Sequence, residues 1–220
     1  MTAGGSAPRI AVVDYGAGNL VSIEQALTSL GAQVEIAVHA AVFDRVDAVV
    51  VPGVGAAGPA MARLARRGLV EPIRAWIDEG RPYLGICLGL QLLFEGSDED
   101  GSTTFGILRG RTVRLEAAPT LPHIGWNQVV RRRDHDLFSG IADGADFYFV
   151  HSYAGAPADP SSEVIVATTE HGRPFVSAVA RGSLLGVQFH PERSGEDGLR
   201  VLGNFVDLVR ADAAARPAAA

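Results

Sequence analysis

The single cysteine of the chain, Cys87, lies where a cysteine side chain would be most reactive. An apolar run that predicts a strand ends at Ile86, and an amphipathic helix is predicted to begin directly after it. Gly85 and Gly89 flank the cysteine, and this G-x-C-x-G pattern is typical of a tight turn that lifts a nucleophile out of a sheet. The helix N-terminus would favour the thiolate, and nearby backbone N–H groups could stabilise an oxyanion. The segment therefore predicts nucleophilic catalysis; the alternative is a buried structural cysteine.

A second segment supplies a base and a group to orient it. A predicted strand leads into His190-Pro191-Glu192, and the proline favours extended geometry at His190. Because residues i and i+2 of an extended chain point the same way, Glu192 can hold one nitrogen of the imidazole, leaving the other to accept the thiol proton. Cys87, His190 and Glu192 are therefore a candidate catalytic triad, the alternative being a turn in which Glu192 is only solvated.

These motifs resemble those of the class I glutamine amidotransferases, which hydrolyse glutamine at a cysteine and pass ammonia to a second active site. Further stretches narrow the resemblance to the glutaminase subunits of imidazole glycerol phosphate synthase, an enzyme of histidine biosynthesis: residues 13–19, 52–55, 122–127, 148–153 and 188–194. The resemblance covers about residues 9–210, which are expected to form a single domain. It implies glutamine hydrolysis without a cofactor, in a heterodimer with a (β/α)8 cyclase subunit that receives the ammonia.

The resemblance also implies roles for residues outside the triad. Oxyanion N–H groups would come from Gly53 or Val54 and from Leu88. The glutamine pocket would be lined by Gln91, Glu95, His151, Ser152 and Tyr153. The cyclase and the ammonia exit would be bordered by Asn19, Pro122, Ile124, Trp126, Tyr148 and Arg193. Lysine is common in the family where this chain has Arg193, and arginine changes the hydrogen-bond geometry there.

Some of these residues also have structural interpretations. Gln91 lies one helical turn after Cys87, on the same face of the predicted helix; the alternative for Gln91 and for Glu95 is a polar residue on the helix surface. His151 could be a structural histidine, and Trp126 could belong to the core. The glycines of residues 14–19 invite a dinucleotide-binding interpretation, which is rejected because Val21 stands at the third glycine position. The remaining polar-context histidines are interpreted as surface residues, and no metal site is predicted: His39, His135 and His171.

The pattern of strands and helices predicts an α/β domain. Strands are expected at 9–14, 34–38 and 46–51, alternating with a helix at 20–30 and a helical stretch over 59–79 that is broken near Gly68. From residue 105 onwards short strands and turns predict antiparallel hairpins. Ser194 is predicted to cap a last helix through about Val209. With the resemblance, this predicts a three-layer, flavodoxin-like class I amidotransferase domain with a mostly parallel central sheet and added antiparallel hairpins.

Composition limits the class of protein and its location. The net charge of −6 gives no basic footprint for nucleic acid. One cysteine excludes an internal disulfide framework and fits a reducing cytosol. No apolar run reaches about 18 residues, and residues 1–8 do not resemble a signal peptide. A cytoplasmic protein without membrane contact is expected, with residues 1–8 and 211–220 as disordered ends.

The sequence leaves three rival functions open. A class I amidotransferase domain could serve another synthase, such as one for guanylate, anthranilate or pyridoxal phosphate, although residues 14–19 and 122–127 favour the histidine-pathway cyclase. A free-standing cysteine hydrolase of the same fold would need no partner. A non-catalytic binding module would have no use for an intact triad.

Overall fold

The computed structural model describes residues 7–215, which alternate strands and helices through the first half. The helices are α1 (Leu20–Ser29), α2 (Ala57–Arg66), α3 (Val70–Asp78), α4 (Leu88–Gln91) and α5 (Gly195–Ala215). The first strands are β1 (Arg9–Val13), β2 (Gln33–Ala37), β3 (Ala48–Gly53), β4 (Tyr83–Cys87), β5 (Gly96–Ser97) and β6 (Gly110–Arg114). The later strands are β7 (His123–Arg131), β8 (Ala145–His151), β9 (Tyr153–Pro157), β10 (Ile165–His171), β11 (Arg173–Arg181) and β12 (Leu184–Val187).

Within the described residues, nine of these strands form a central sheet in the order β2-β1-β3-β4-β12-β11-β10-β7-β8. The pairs from β2 to β12 are parallel, and those from β12 to β8 are antiparallel. The parallel half and the antiparallel hairpins were both predicted from the sequence. The hairpins extend the central sheet itself, so the sheet is mixed. A small second sheet has the order β5-β6-β9.

Helices cover both faces of the parallel strands, which gives three layers. Along β1 the side chains alternate, so that Ile10 and Val12 pack on one side and Ala11 and Val13 on the other. Buried residues of α1 and α5 share the first side, and those of α2 and α3 share the second. A strand buried on both faces is apolar along its whole length, as the run of valines in β3 illustrates.

The helix boundaries confirm some predictions and correct others. The expected break between α2 and α3 occurs at Gly68, whose φ of +64° suits glycine. The helix after Cys87 is only one turn long, and α5 continues to Ala215, so residues 211–215 are helical rather than disordered. The rest of the predicted disordered ends, residues 1–6 and 216–220, lie outside the described residues.

The sequence predicted that the Ser194 side chain caps α5, but the structure gives this side chain other partners. Its hydroxyl donates to the His190 carbonyl (2.7 Å) and accepts from the Tyr148 N–H (3.0 Å). The side chain therefore ties the end of the β12 segment to β8, beneath the candidate triad.

Candidate active site

Cys87 occupies the strained turn between β4 and α4. Its φ of 53° is positive, which is uncommon for a residue with a side chain and marks a conformation that the surrounding structure must hold. The flanking glycines are needed for packing, since a Cβ at Gly85 would clash with the backbone of Gly89 and a Cβ at Gly89 would overlap the Val51 carbonyl. The predicted nucleophile elbow is therefore present, with Leu88 as the first residue of α4.

The order of strands brings His190 and Glu192 to the cysteine. Because β12 pairs in parallel with β4, the residues that follow β12 emerge at the same edge of the sheet as Cys87. Nδ1 of His190 lies 3.0 Å from Oε1 of Glu192, and both side chains are buried. His190 is extended as predicted, but Glu192 lies in a short 3-10 helix, Pro191–Arg193, so a turn rather than a continued strand makes this contact.

The charge on His190 is set by its neighbours. Burial opposes the charged imidazole and lowers its pKa, but the Cys87 sulfur and the Glu192 carboxylate outweigh burial and raise the pKa of His190 to about 10. Nε2 of His190 is buried and has no hydrogen-bond partner among residues 7–215. Glu192 therefore holds Nδ1 of His190, while Nε2 remains available for proton transfer.

The predicted oxyanion residues lie beside the cysteine. Gly53 is the register partner of Cys87 across β3 and β4, and a Cβ at Gly53 would come within 3.0 Å of the Leu88 Cβ. That Cβ would also overlap the hydroxyl of Tyr15, a buried residue to which no role was assigned from the sequence. Val54 is 48% exposed and Gly55 has a φ of +93°, so the chain turns outward directly after Gly53.

A cavity of about 180 Å³ opens over the sulfur of Cys87. Four of the five predicted glutamine-pocket residues line it: Gln91, His151, Ser152 and Tyr153. Its other lining residues are Val54, Gly55, Glu99, Pro122 and Val150. A larger cavity of about 770 Å³ shares Tyr153 with it but contains none of the triad residues, so size does not identify the active site.

Glu95 is the exception among the predicted pocket residues. Its carboxylate accepts the Gly110 N–H at 2.8 Å, and it does not line the cavity over Cys87. The prediction extended the helix from Cys87, whereas α4 ends at Gln91 and the chain turns away. Glu99 stands in the cavity instead, where burial and then the neighbouring Asp100 raise the pKa of its carboxyl group. The sequence would have indicated Glu99 only if the end of the helix after Cys87 had been predicted to within one turn.

Three histidines lie together behind the cavity, whereas the sequence had indicated only His151 there. His123 lies 3.2 Å from His151 through Nδ1 and Nε2, and its ring stacks on His171 with 4.0 Å between centroids. His171 was expected to be a surface residue without partners, and this is corrected: the β10–β11 turn folds it against β7. No local pattern indicated this contact, because β7 and β10 are far apart along the chain.

Several predicted partner-facing residues form an exposed patch next to the cavity. Ile124 and Trp126 on β7 are 60% and 56% exposed. The Trp126 ring meets Tyr148 edge-on at 6.2 Å, and the Arg193 guanidinium lies 4.2 Å from the centroid of the Tyr148 ring. Pro122 joins this patch to the cavity. Asn19 is placed apart, as the N-cap of α1, where its side chain accepts the Ser22 N–H.

Two further kinds of site are absent from the described part of the chain. Within residues 7–215, no group of three or more His, Cys, Asp or Glu side chains is arranged to hold a metal ion. In the same range, no helix has the length and apolar character needed to cross a membrane.

Comparison with known proteins identifies the family. The family model for glutamine amidotransferase class-I matches residues 11–208. The chain belongs to this family. It is 50% identical over 202 residues to the imidazole glycerol phosphate synthase subunit HisH of Moorella thermoacetica, covering 91% of this chain and 95% of that one. It is 47% identical over 207 residues to the HisH subunit of Synechococcus sp. (strain JA-3-3Ab), covering 92% and 95%.

Solved structures agree on the amidotransferase fold. A crystal structure of a glutamine amidotransferase superposes with a TM-score of 0.71 at 19% identity, covering 90% of this chain and 98% of that one. The structure of PurLQS from Thermotoga maritima gives 0.70 at 19% identity, covering 92% and 99%. The predicted class I amidotransferase fold is confirmed, and within that family the chain belongs with the HisH subunits.

Proposed function

We propose that this protein hydrolyses glutamine to glutamate and ammonia and delivers the ammonia to the cyclase subunit of imidazole glycerol phosphate synthase, in histidine biosynthesis. The observation that carries the chemistry is Cys87 on a strained elbow, beside a buried His190–Glu192 pair, under a cavity of about 180 Å³. The HisH relatives supply the pathway.

The hydrolysis proceeds in two stages. His190 takes the thiol proton, and the Cys87 thiolate attacks the side-chain amide carbon of glutamine. The C–N bond then breaks, His190 returns the proton to the leaving nitrogen, and ammonia departs. Water adds to the resulting thioester and releases glutamate, with His190 again as the base. The raised pKa of His190, about 10, favours the imidazolium form of His190 once it has taken the thiol proton.

The negative charge that develops on the amide oxygen must be stabilised by hydrogen-bond donors. The N–H of Leu88 at the start of α4 and an N–H of the Gly53–Val54 segment are the two donors, because β3 and β4 place both next to Cys87. The turn at Gly55 lets that segment leave the sheet immediately afterwards.

The cavity also provides groups for the amino-acid end of glutamine. Glu99 is the carboxylate that binds the α-ammonium group. A bound ammonium would lower the pKa of this carboxyl group, opposing the effect of burial and of Asp100. Ser152 and Tyr153 contribute backbone and hydroxyl groups for the α-carboxylate. Gln91 and His151 form the wall next to Cys87.

The partner is a (β/α)8 cyclase in a cytoplasmic heterodimer. It uses the ammonia to make imidazole glycerol phosphate and aminoimidazole-carboxamide ribonucleotide. The exposed side chains Ile124 and Trp126, with Arg193 and half-buried Tyr148, form the docking patch, and Asn19 at the N-cap of α1 is a separate contact with the cyclase. Aromatic residues and arginine are enriched at such interfaces.

The test separates glutamine hydrolysis from synthesis. In the complex with its cyclase, Cys87→Ala is expected to abolish synthesis from glutamine while leaving synthesis from added ammonium salts within about twofold of wild type, because Cys87 serves only the first half-reaction. Product formation from each nitrogen source is measured, with exposed His39→Ala as a surface control. Glutamine-dependent turnover in Cys87→Ala would refute the assignment.

A further inference from the structure

The side chain of Gln188, which lies outside the candidate triad, contacts the sulfur of Cys87. Gln188 is fully buried, and its Nε2 lies 3.5 Å from the sulfur, within the distance of a hydrogen bond to sulfur. Gln188 comes directly after β12, two residues before His190, so the segment that follows this strand presents both groups. The side-chain amide is thus placed to interact with the nucleophile before glutamine binds.

The orientation of this amide is dictated by its neighbours. The carbonyl of Tyr153 can only accept, so the side-chain nitrogen of Gln91, 2.7 Å away, must face it. The same nitrogen donates to Oε1 of Gln188 at 3.1 Å. With its oxygen occupied in this way, Gln188 presents its N–H groups to the sulfur and cannot turn around without losing two hydrogen bonds.

A line of hydrogen bonds continues from the Tyr153 carbonyl to β7. Nδ1 of His151 donates to that carbonyl at 2.9 Å, so Nε2 of His151 must accept from Nδ1 of His123 at 3.2 Å. Nε2 of His123 then accepts from the side-chain nitrogen of Asn127, also at 3.2 Å. Asn127 is held in turn by the Glu170 carbonyl at 2.8 Å.

Both imidazoles must be neutral for this line to exist, and their surroundings favour that state. Burial lowers the pKa of His151 to about 3, and burial followed by nearby His171 lowers that of His123 to about 4. At neutral pH each ring has one donor and one acceptor nitrogen, and the neighbours fix which is which.

We propose that Gln188 is a further catalytic residue, whose Nε2–H donates to the Cys87 thiolate, and that the line of hydrogen bonds from Asn127 holds this donor in place. The proposal rests on the proposed function. Cys87 is largely buried, so few of its possible donors are water, and a protein donor to the charged form favours the thiolate over the thiol. Asn127 and His123 are positioning residues, since they act only through the line.

The test is the pH dependence of Cys87 alkylation by iodoacetamide, which reports a single site because the chain has one cysteine. Gln188→Met removes the donor with similar volume, and Gln188→Glu keeps the acceptor for Gln91 but replaces the donor. In both variants the pH at which the alkylation rate is half-maximal should rise by about one unit, because a hydrogen bond to a charged group is lost. In the cyclase complex, kcat should fall about tenfold, with KM within about threefold.

Two further variants complete the design. His123→Phe fits the surrounding aromatic rings and should shift the midpoint in the same direction by less, because it loosens the donor without removing it. Gln33→Glu, exposed on β2, is the matched control and should titrate like wild type. Thermal unfolding of each variant identifies those that fold. If the buried glutamate of Gln188→Glu prevents folding, the result for Gln188→Met decides the question.

The outcomes separate this proposal from the proposed function. Wild-type complex that hydrolyses glutamine, together with Gln188→Met that folds and titrates like wild type, would overturn the role of Gln188 alone. Wild-type complex that hydrolyses no glutamine would overturn the function itself.

Discussion

At the level of single residues, the site combines burial with compensating charge. His190 and Glu192 are almost inaccessible to water, yet the pKa of His190 is raised to about 10, because the Cys87 sulfur and the Glu192 carboxylate stabilise the imidazolium. Burial alone would have the opposite effect. The charged state of the His190 imidazole therefore depends on the three side chains together.

The first prediction separates the base from the group that orients it. His190→Ala should lower glutaminase kcat by at least about 10³-fold, since it removes the proton acceptor and donor. Glu192→Gln keeps the shape and a hydrogen bond to Nδ1, so it should cost about tenfold. Steady-state kinetics of the cyclase complex measures both. Equal losses would mean that Glu192 does more than orient the imidazole.

The second prediction concerns pH and stability. Because the pKa of His190 is raised in the folded protein, its stabilising contribution is complete below about pH 6.5, the pKa of an unperturbed histidine, and is lost as the pH rises through about 10. Cys87→Ala removes the first of the groups that raise this pKa. The free energy of unfolding in urea should therefore fall more steeply over that range in wild type than in Cys87→Ala; parallel curves would contradict the coupling.

The third prediction tests which glutamate binds the substrate. Glu99→Gln should raise KM for glutamine about tenfold or more, through loss of a charged hydrogen bond to the α-ammonium, with less effect on kcat. Glu95→Gln is the matched control, because Glu95 faces the Gly110 N–H and lies outside the cavity. Glutaminase kinetics at varied glutamine concentration decides; a larger effect at Glu95 would restore the prediction from sequence.

At the level of elements, the segment that follows β3 is the part of the site with conformational freedom. Gly53 is paired within the sheet and packed against Tyr15 and Leu88, whereas Gly55 has a φ of +93° and open space around its Cβ position. A peptide in this segment could turn its N–H towards or away from the oxyanion, which would give the partner a way to control hydrolysis.

The fourth prediction follows from that freedom. A Cβ at Gly55 would meet no atom within 4 Å, but Gly55→Val disfavours the positive φ and should displace the oxyanion donor. Loss of one such donor costs about 10²- to 10³-fold in kcat, so stimulation by the cyclase should fall accordingly while KM stays within about threefold. Gly182→Val, with a φ of +58° and equally open space, is the control for strain alone. A similar loss in both variants would indicate general destabilisation.

At the level of the whole molecule, the exposed patch on β7 and β8 lies directly beside the cavity. Ile124 faces Val150 across the two strands, and Val150 also lines the cavity. A partner seated on the patch would therefore close the entrance to the site and receive the ammonia without release to solvent.

The fifth prediction joins assembly to activity. The isolated chain should have little glutaminase activity and should be stimulated by the cyclase with its nucleotide bound, because uncoupled hydrolysis would waste glutamine. Trp126→Ala should weaken binding of the cyclase by about 30-fold, as for a buried aromatic anchor, while half-buried Met61→Ala on α2 should not. Calorimetry and glutamate release measure the two effects; full activity of the isolated chain would favour a free-standing hydrolase.

The sequence by itself determined the features that depend on neighbours along the chain. The glycines around Cys87, the His-Pro-Glu segment and the alternating strands and helices are local patterns. The structure contains the tight turn at Cys87, the contact between His190 and Glu192 and the alternation of elements that they predicted, although α4 is shorter than predicted and Glu192 lies in a 3-10 turn. The proposed oxyanion role of Gly53 and Leu88 came from the family resemblance, and both residues lie beside Cys87 in the structure.

Tertiary structure decided what depends on distant segments. Because α4 is only one turn long, the carboxylate in the cavity belongs to Glu99 and not to Glu95. The order of the strands places Gln188 next to Cys87 and His171 next to His123. Periodicity shows which face of an element is apolar, but it does not specify which elements become neighbours. Those contacts arise from packing the whole sheet between its helices, where burial and hydrogen bonding of all segments are satisfied together.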